Sequence, residues 1–247
     1  MQPNSNSSLA IPFAIVAGFA LIAIAIFFTG NNKTSPKEQT TATTDSTVTK
    51  SNVVRPIDST DHIRGNPNAP IMIVEYSDYD CPFCKIFDET MNNVMADYGV
   101  GGKVGWVYRQ FPIAQLHPNS PRISEGAYCV AELGGNDAFW AFSKNIFAGR
   151  DVNVQTDMTQ LPVFAEKAGV SRSDFNTCLD SGKYRDQVQK DVAEAAAAGA
   201  NGTPYSVVIV GDQQVVINGA QPYTVVKQII DNLIAQLDGK EAPNKAE

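Results

Sequence analysis

Two cysteines separated by two residues, Cys81-Pro82-Phe83-Cys84, stand where a strand pattern gives way to a helix pattern, and this joint constrains the fold more than any other part of the chain. Ile71-Met72-Ile73-Val74-Glu75-Tyr76 is a short, apolar, β-branched run bounded by Pro70 and by Ser77-Asp78, as expected of a buried strand. After it, Ile86, Phe87, Met91, Val94, Met95 and Tyr98 recur at helical spacing until Gly99 or Gly101. Pro82 suits a first helical turn, where no intrahelical N–H bond is lost, and Asp80 is expected to cap it. The cysteines thus open a helix that leaves a strand directly.

That position has chemical consequences. Unpaired N–H groups and the helix dipole favour a thiolate on Cys81, and a stabilised thiolate is also a good leaving group, so mixed disulfides form and break quickly. Cys84 is the natural resolving thiol. Asp78 and Asp80 bring negative charge that opposes a second anion, and Pro82-Phe83 offers no side-chain donor, so moderate activation is expected. A structural zinc half-site is the rival reading. Zinc wants four nitrogen or sulfur ligands at compatible spacing, yet there is no second C-x-x-C, and only His62 and His117 could add imidazoles. Neither a metal nor a cofactor is expected.

Val104–Phe111 reads as a second strand. Helices are then expected at Pro121–Leu133, Ala138–Ala148, Met158–Ala168, Ser171–Ser181 and Tyr184–Ala198, punctuated by glycines, which makes an inserted helical subdomain over about 113–200. Strand character returns in Tyr205–Val210 and Val215–Asn218, joined through Gly211-Asp212-Gln213-Gln214, and a helix from Pro222 to Leu237 closes the domain. Strand, helix, strand, helices, two strands and a helix is an α/β plan.

Ahead of this domain, Leu9–Phe28 is an uncharged apolar stretch long enough to cross a bilayer as a helix. The expected organisation is a short tail at 1–8, a transmembrane anchor at 9–29, a flexible Thr-, Ser- and Lys-rich linker at 30–54, the folded domain at 55–239 and a disordered tail at 240–247. A cleavable signal is the alternative for the apolar run, although it ends in Ile26-Phe27-Phe28-Thr29-Gly30 without a small-x-small site. From Arg55 onward there are 16 basic and 24 acidic residues, a balance of −8 that argues against nucleic acid or anionic lipid as a partner of the domain.

Cys129 and Cys178 fall on expected helices of the subdomain, and a structural disulfide is expected between them, with two buried free thiols as the alternative. Closing a loop of that size stabilises a fold by roughly 4 kcal/mol in the chain-entropy model. One exchange pair and one bridge suit an oxidising compartment. This places the domain outside the cytoplasm, in a periplasm or at an outer cell surface, and offsets the absence of Lys or Arg before the apolar run.

The runs Glu75-Tyr76-Ser77-Asp78-Tyr79-Asp80-Cys81-Pro82-Phe83-Cys84 and Gly202-Thr203-Pro204-Tyr205 together resemble DsbA-type thiol–disulfide oxidoreductases, members of the thioredoxin superfamily in which a helical subdomain interrupts the thioredoxin fold. The resemblance covers about Arg55 to Gly239. It implies a cis peptide bond at Pro204, facing the cysteine pair, with Thr203 and Pro204 shaping a peptide site. It implies that Glu75 lies buried beneath the cysteines and helps move protons, a solvent-facing strand-end glutamate being the alternative. Phe83 departs from the best-known member, which has a histidine there, and this lowers the expected oxidising power. His117 matches a position common in related sequences but is read as a surface loop histidine without a catalytic role.

The expected function is extracytoplasmic exchange of the Cys81–Cys84 disulfide with exported cysteine-containing proteins, as a disulfide donor reoxidised by a quinone-linked membrane partner. A reductase or isomerase is the alternative, since Thr203 before Pro204 resembles some isomerases, although a polar tether stands where those carry a dimerisation domain. A noncatalytic peptide-binding module is a third reading, opposed by the intact cysteine pair.

Overall fold

A computed structural model describes residues 54–241. The expected tail at 1–8, the anchor at 9–29, all of the linker but Val54, and residues 242–247 lie outside the described residues. Among the described residues, no helix is long and apolar enough to cross a membrane.

Five strands form one sheet. β1 is His62–Gly65, β2 Ile71–Ser77, β3 Val104–Gln110, β4 Tyr205–Val210 and β5 Gln213–Asn218, in the spatial order β1-β3-β2-β4-β5. β2 runs parallel to β3 and antiparallel to β4, while β1 and β5 close the edges in antiparallel pairing. Every residue of β2 is buried, as expected of a strand covered on both faces. Strand alternation divides it: Ile71 and Ile73 join one apolar cluster, and Met72, Val74 and Tyr76 join the other.

The helices are α1 Pro82–Val94, α2 Ser120–Ala148, α3 Leu161–Lys167, α4 Arg172–Ser181, α5 Arg185–Ala197 and α6 Tyr223–Glu241. The first cluster packs Phe87, Met91 and Val94 of α1 and Val226, Ile230 and Leu233 of α6 with Ile71, Ile73 and Trp106 of the sheet. The subdomain helices α2 to α4 extend the same cluster through Phe139, Phe142, Phe164 and Phe175. Ala195 of α5 and the following Ala198 and Ala200 join the second cluster. Thus the insertion and the α/β core are continuous in packing.

Several boundaries differ from the sequence reading. α2 holds the two helices expected at Pro121–Leu133 and Ala138–Ala148, but they meet across a sharp kink at Gly135, φ 78° and ψ −170°, with no loop between them. β1 was not anticipated: it has four residues and two are exposed, so no apolar run marks it. β5 begins at Gln213, because Gln213 and Gln214 pair with Val210 and Ile209 while their polar side chains hide the strand pattern. Val54, assigned to the linker, is buried in the second cluster. α6 continues to Glu241, two residues into the stretch expected to be a disordered tail.

Candidate active site

Cys81 itself is the N-cap of α1, with φ −67° and ψ 125°, and Pro82 occupies the first turn. Asp80 does not cap the helix. Its carboxylate accepts instead from Thr156 N at 2.8 Å and Thr156 Oγ1 at 2.6 Å, so the expected cap is committed to the loop that follows α2. Cys81 thus stands at the cap position without a side-chain cap hydrogen bond, at the helix end where the N–H groups of the first turn are free.

Cys81 and Cys84 are free and buried. The Cys81 thiol is depressed from 9.0 to about 6, chiefly by the hydrogen bond from the Cys84 thiol, against opposing burial, with further help from Thr203 and from the Cys84 and Phe83 backbone N–H groups. Burial pushes Cys84 the other way, well above the ordinary thiol range, and the neighbouring Cys81 and Glu75 add to it. Two like groups three positions apart in the chain are thereby split into an ionising thiol and a proton-holding one. Asp78 N donates to the Cys84 sulfur at 3.4 Å.

Pairing of β4 with β2 sets Tyr205 opposite Tyr76, and this register brings Thr203-Pro204 to the end of β2 from which the cysteine loop departs. The Thr203–Pro204 peptide bond is cis, and Cys81 Sγ lies 3.4 Å from Thr203 O. The Thr203 hydroxyl is buried without a hydrogen-bond partner of its own. Phe83, at 59 % exposure, stands out beside the pair as an apolar surface residue, and Pro82 is half-buried.

Glu75 is buried on β2, where Trp106 Nε1 donates to its Oε2 at 2.9 Å. Burial raises this carboxyl from 4.5 to about 8, partly countered by hydrogen bonds from Ser77 and Trp106. The solvent-facing alternative for Glu75 is therefore excluded. Cys84 feels the charge of Glu75, and Glu75 that of Cys81, which sets a protonatable carboxyl within electrostatic reach of the pair.

Other residues of the site carried no local signal. The Asp78 carboxylate, fully buried, accepts from Asp80 N at 2.9 Å, Ile113 N at 2.8 Å and the Ser120 hydroxyl. His117, read as a surface loop residue, is instead largely buried, with Nδ1 2.9 Å from Asp78 Oδ2. The correction has a simple cause: a buried carboxylate needs partners, and the loop after β3 folds back to supply them. Arg150, just beyond α2, donates to the carbonyls of Tyr79 and Cys81 at 3.0 and 2.8 Å. Only its following a helix-ending glycine was visible in the sequence, and that says nothing of carbonyls 69 and 71 positions away.

Away from this centre, Cys129 on α2 and Cys178 on α4 are joined by a disulfide with S–S 2.01 Å, so the free-thiol alternative does not hold. Among the described residues, no group of three or more His, Cys, Asp or Glu side chains could hold a metal ion.

Residues 58–232 match the profile of a family described as Thioredoxin. The solved structure of alpha-DsbA1 from Wolbachia pipientis superposes with a TM-score of 0.66 at 21% identity, covering 77% of this chain and 98% of that one. Oxidised BdbD from Bacillus subtilis gives 0.62 at 21%, over 71% and 93%, and DsbA2 from Pseudomonas aeruginosa gives 0.59 at 21%, over 72% and 97%. At these identities the likeness is one of fold. Among curated proteins, the chain is 31% identical over 153 residues to Na(+)/H(+) antiporter NhaA 1 of Mycolicibacterium gilvum, covering 62% of this chain and 24% of that protein. The chain thus spans about a quarter of the length of the curated relatives it matches.

Proposed function

Since the chain belongs to the thioredoxin family, we propose that it is a thiol–disulfide oxidoreductase working through Cys81 and Cys84, most effectively as a disulfide donor to exported cysteine-containing proteins. The observation that carries this reading is the split thiol pair at the start of α1, with Cys81 depressed to about 6 and Cys84 raised, beside the carbonyl of Thr203. The antiporter activity named for the curated relatives is not carried over, because the shared region is about a quarter of their length.

In the donor direction, a substrate thiolate attacks Cys81 Sγ of the Cys81–Cys84 disulfide. A mixed disulfide forms, the enzyme's S–S bond breaks, and its electron pair leaves on Cys84, which takes up a proton. Glu75, protonated up to about pH 8, is placed to supply it. A second substrate thiolate then attacks the substrate sulfur, and Cys81 departs as a thiolate, a good leaving group at its depressed value. Substrate loses two electrons and two protons; the enzyme gains both electrons and, with Cys81 left ionised and Glu75 reprotonated from solvent, one proton, the other passing to solvent. Stabilising the Cys81 thiolate stabilises the reduced enzyme, which favours oxidation of substrate over its reduction.

Regeneration needs an electron acceptor, and a quinone-linked membrane protein is the partner of suitable chemistry. The apolar segment at 9–29 as an anchor and the Cys129–Cys178 bridge support an extracytoplasmic site for the domain. Equilibration with glutathione tests the direction: a potential near that of protein oxidants supports the donor role, and a value near roughly −270 mV, the range of thioredoxin, would overturn it.

A further inference from the structure

We propose that Arg150 is a positioning residue for the exchange reaction, fixing the Cys81 carbonyl and holding a buried positive charge against the cysteine pair. The inference rests on Cys81 being the exchanging thiol. Arg150 is buried, and its guanidinium donates Nε to Tyr79 O at 3.0 Å, Nη2 to Cys81 O at 2.8 Å, and Nη1 to the carbonyls of Asp151, Val152 and Val154 at 3.3, 3.2 and 3.2 Å. Cys81 O also accepts the first helical bond, from Lys85 N at 3.3 Å, so the N-cap is gripped from its helix and from the subdomain together.

Five carbonyls satisfy the donors of Arg150, yet none neutralises its charge, and among the described residues no ion pair joins it to a carboxylate. A buried cation without a paired anion is costly, so a neutral donor would serve better if holding carbonyls were the whole role. The charged groups around Cys81 are Glu75 beneath it, Asp78 and Asp80 in the preceding loop, and Arg150. Lys85 is engaged elsewhere, its Nζ donating to Phe147 O, and the His117 ring is taken up by Asp78. Arg150 is the cation that touches the Cys81 residue itself. When Cys81 ionises, the new negative charge falls beside a guanidinium already held in place by a rigid loop, which Asp80 and Thr156 latch from the other side.

The test compares Arg150→Gln with Arg150→Lys in the full chain, using thiolate absorbance against pH and equilibration with glutathione. Arg150→Gln is expected to lower the Cys81 thiolate population below its midpoint about tenfold, and to shift the redox equilibrium about tenfold toward the oxidised protein. Arg150→Lys keeps the charge and recovers most of both. A folded Arg150→Gln protein that titrates like wild type, or an Arg150→Lys protein that falls as far as Arg150→Gln, overturns the inference. If neither variant folds, the wild-type Arg150 Nε resonance decides: it moves with the Cys81 titration if the charges interact and stays still if they do not. Failure of wild-type protein to exchange with a dithiol peptide defeats the proposed function instead, and is read separately.

Discussion

The sulfur of Cys81 lies 3.4 Å from the carbonyl oxygen of Thr203, a residue 122 positions further along the chain. Antiparallel pairing of β4 with β2 makes this contact, because it sets the start of β4 beside the end of β2. The Thr203 hydroxyl, buried and lacking another partner, contributes to the depressed Cys81 thiol. Thr203→Val is therefore expected to move the Cys81 midpoint upward and leave about threefold less thiolate below it, while Thr203→Ser retains it. Thiolate absorbance against pH measures both.

Cys84→Ala removes the thiol that would resolve a mixed disulfide from within the enzyme. Covalent adducts between Cys81 and cysteine-containing partners are then expected to accumulate and to disappear on reduction. Non-reducing gels of cells carrying the variant detect them, and the further change Cys81→Ser abolishes them. A complete absence of adducts in the single variant favours a peptide-binding module.

Glu75 and Cys81 couple stability to pH with opposite signs. Burial raises Glu75 from 4.5 to about 8, so its contribution is fully present below pH 4.5 and is lost as pH rises through about 8. Cys81 is depressed from 9.0 to about 6, so the reduced protein holds its contribution above pH 9.0 and loses it as pH falls through about 6. Glu75→Gln removes the first effect alone. The melting temperature of reduced Glu75→Gln is expected to gain on wild type as pH rises between about 5 and about 8, and a constant difference across that window counts against a buried protonated carboxyl.

Arg109 on β3 binds both Asp61 oxygens, at 2.8 and 3.0 Å, and Glu194 of α5 at 2.7 Å. Asp61 is almost wholly buried at its side chain, so losing the cation strands its charge. Arg109→Met is expected to destabilise the domain by about 3 kcal/mol, lowering the urea midpoint with little change in slope, while Arg55, more exposed on the same carboxylate, costs less when replaced.

Much of this architecture is legible in local pattern. The buried run Ile71–Tyr76, the helical spacing from Phe87 to Tyr98 and the apolar face of α6 each reflect burial on one or two sides of an element, which periodicity records directly, while Ile86, read with the same face, is exposed. β1 and the first two residues of β5 escaped because edge strands need no apolar face, whereas the break within α2 was marked in the sequence by Gly134-Gly135 and only its form, a kink at one glycine in place of a loop, was decided by the fold.

The site divides along the same line. A strand followed by Cys81-Pro82-Phe83-Cys84 at a helix start determines, by sequence alone, that two thiols lie close together before free N–H groups. How those thiols divide their protons does not follow from the motif. Thr203 arrives through β4, Glu75 becomes a protonated acid through burial under Trp106, and Arg150 reaches Cys81 from beyond α2. Asp80, which local pattern made a helix cap, is claimed by Thr156 from the same distant loop. Chemistry carried by neighbouring residues is written in the chain, whereas desolvation and contacts between residues far apart in sequence exist only once the sheet and the helical insertion have closed around them.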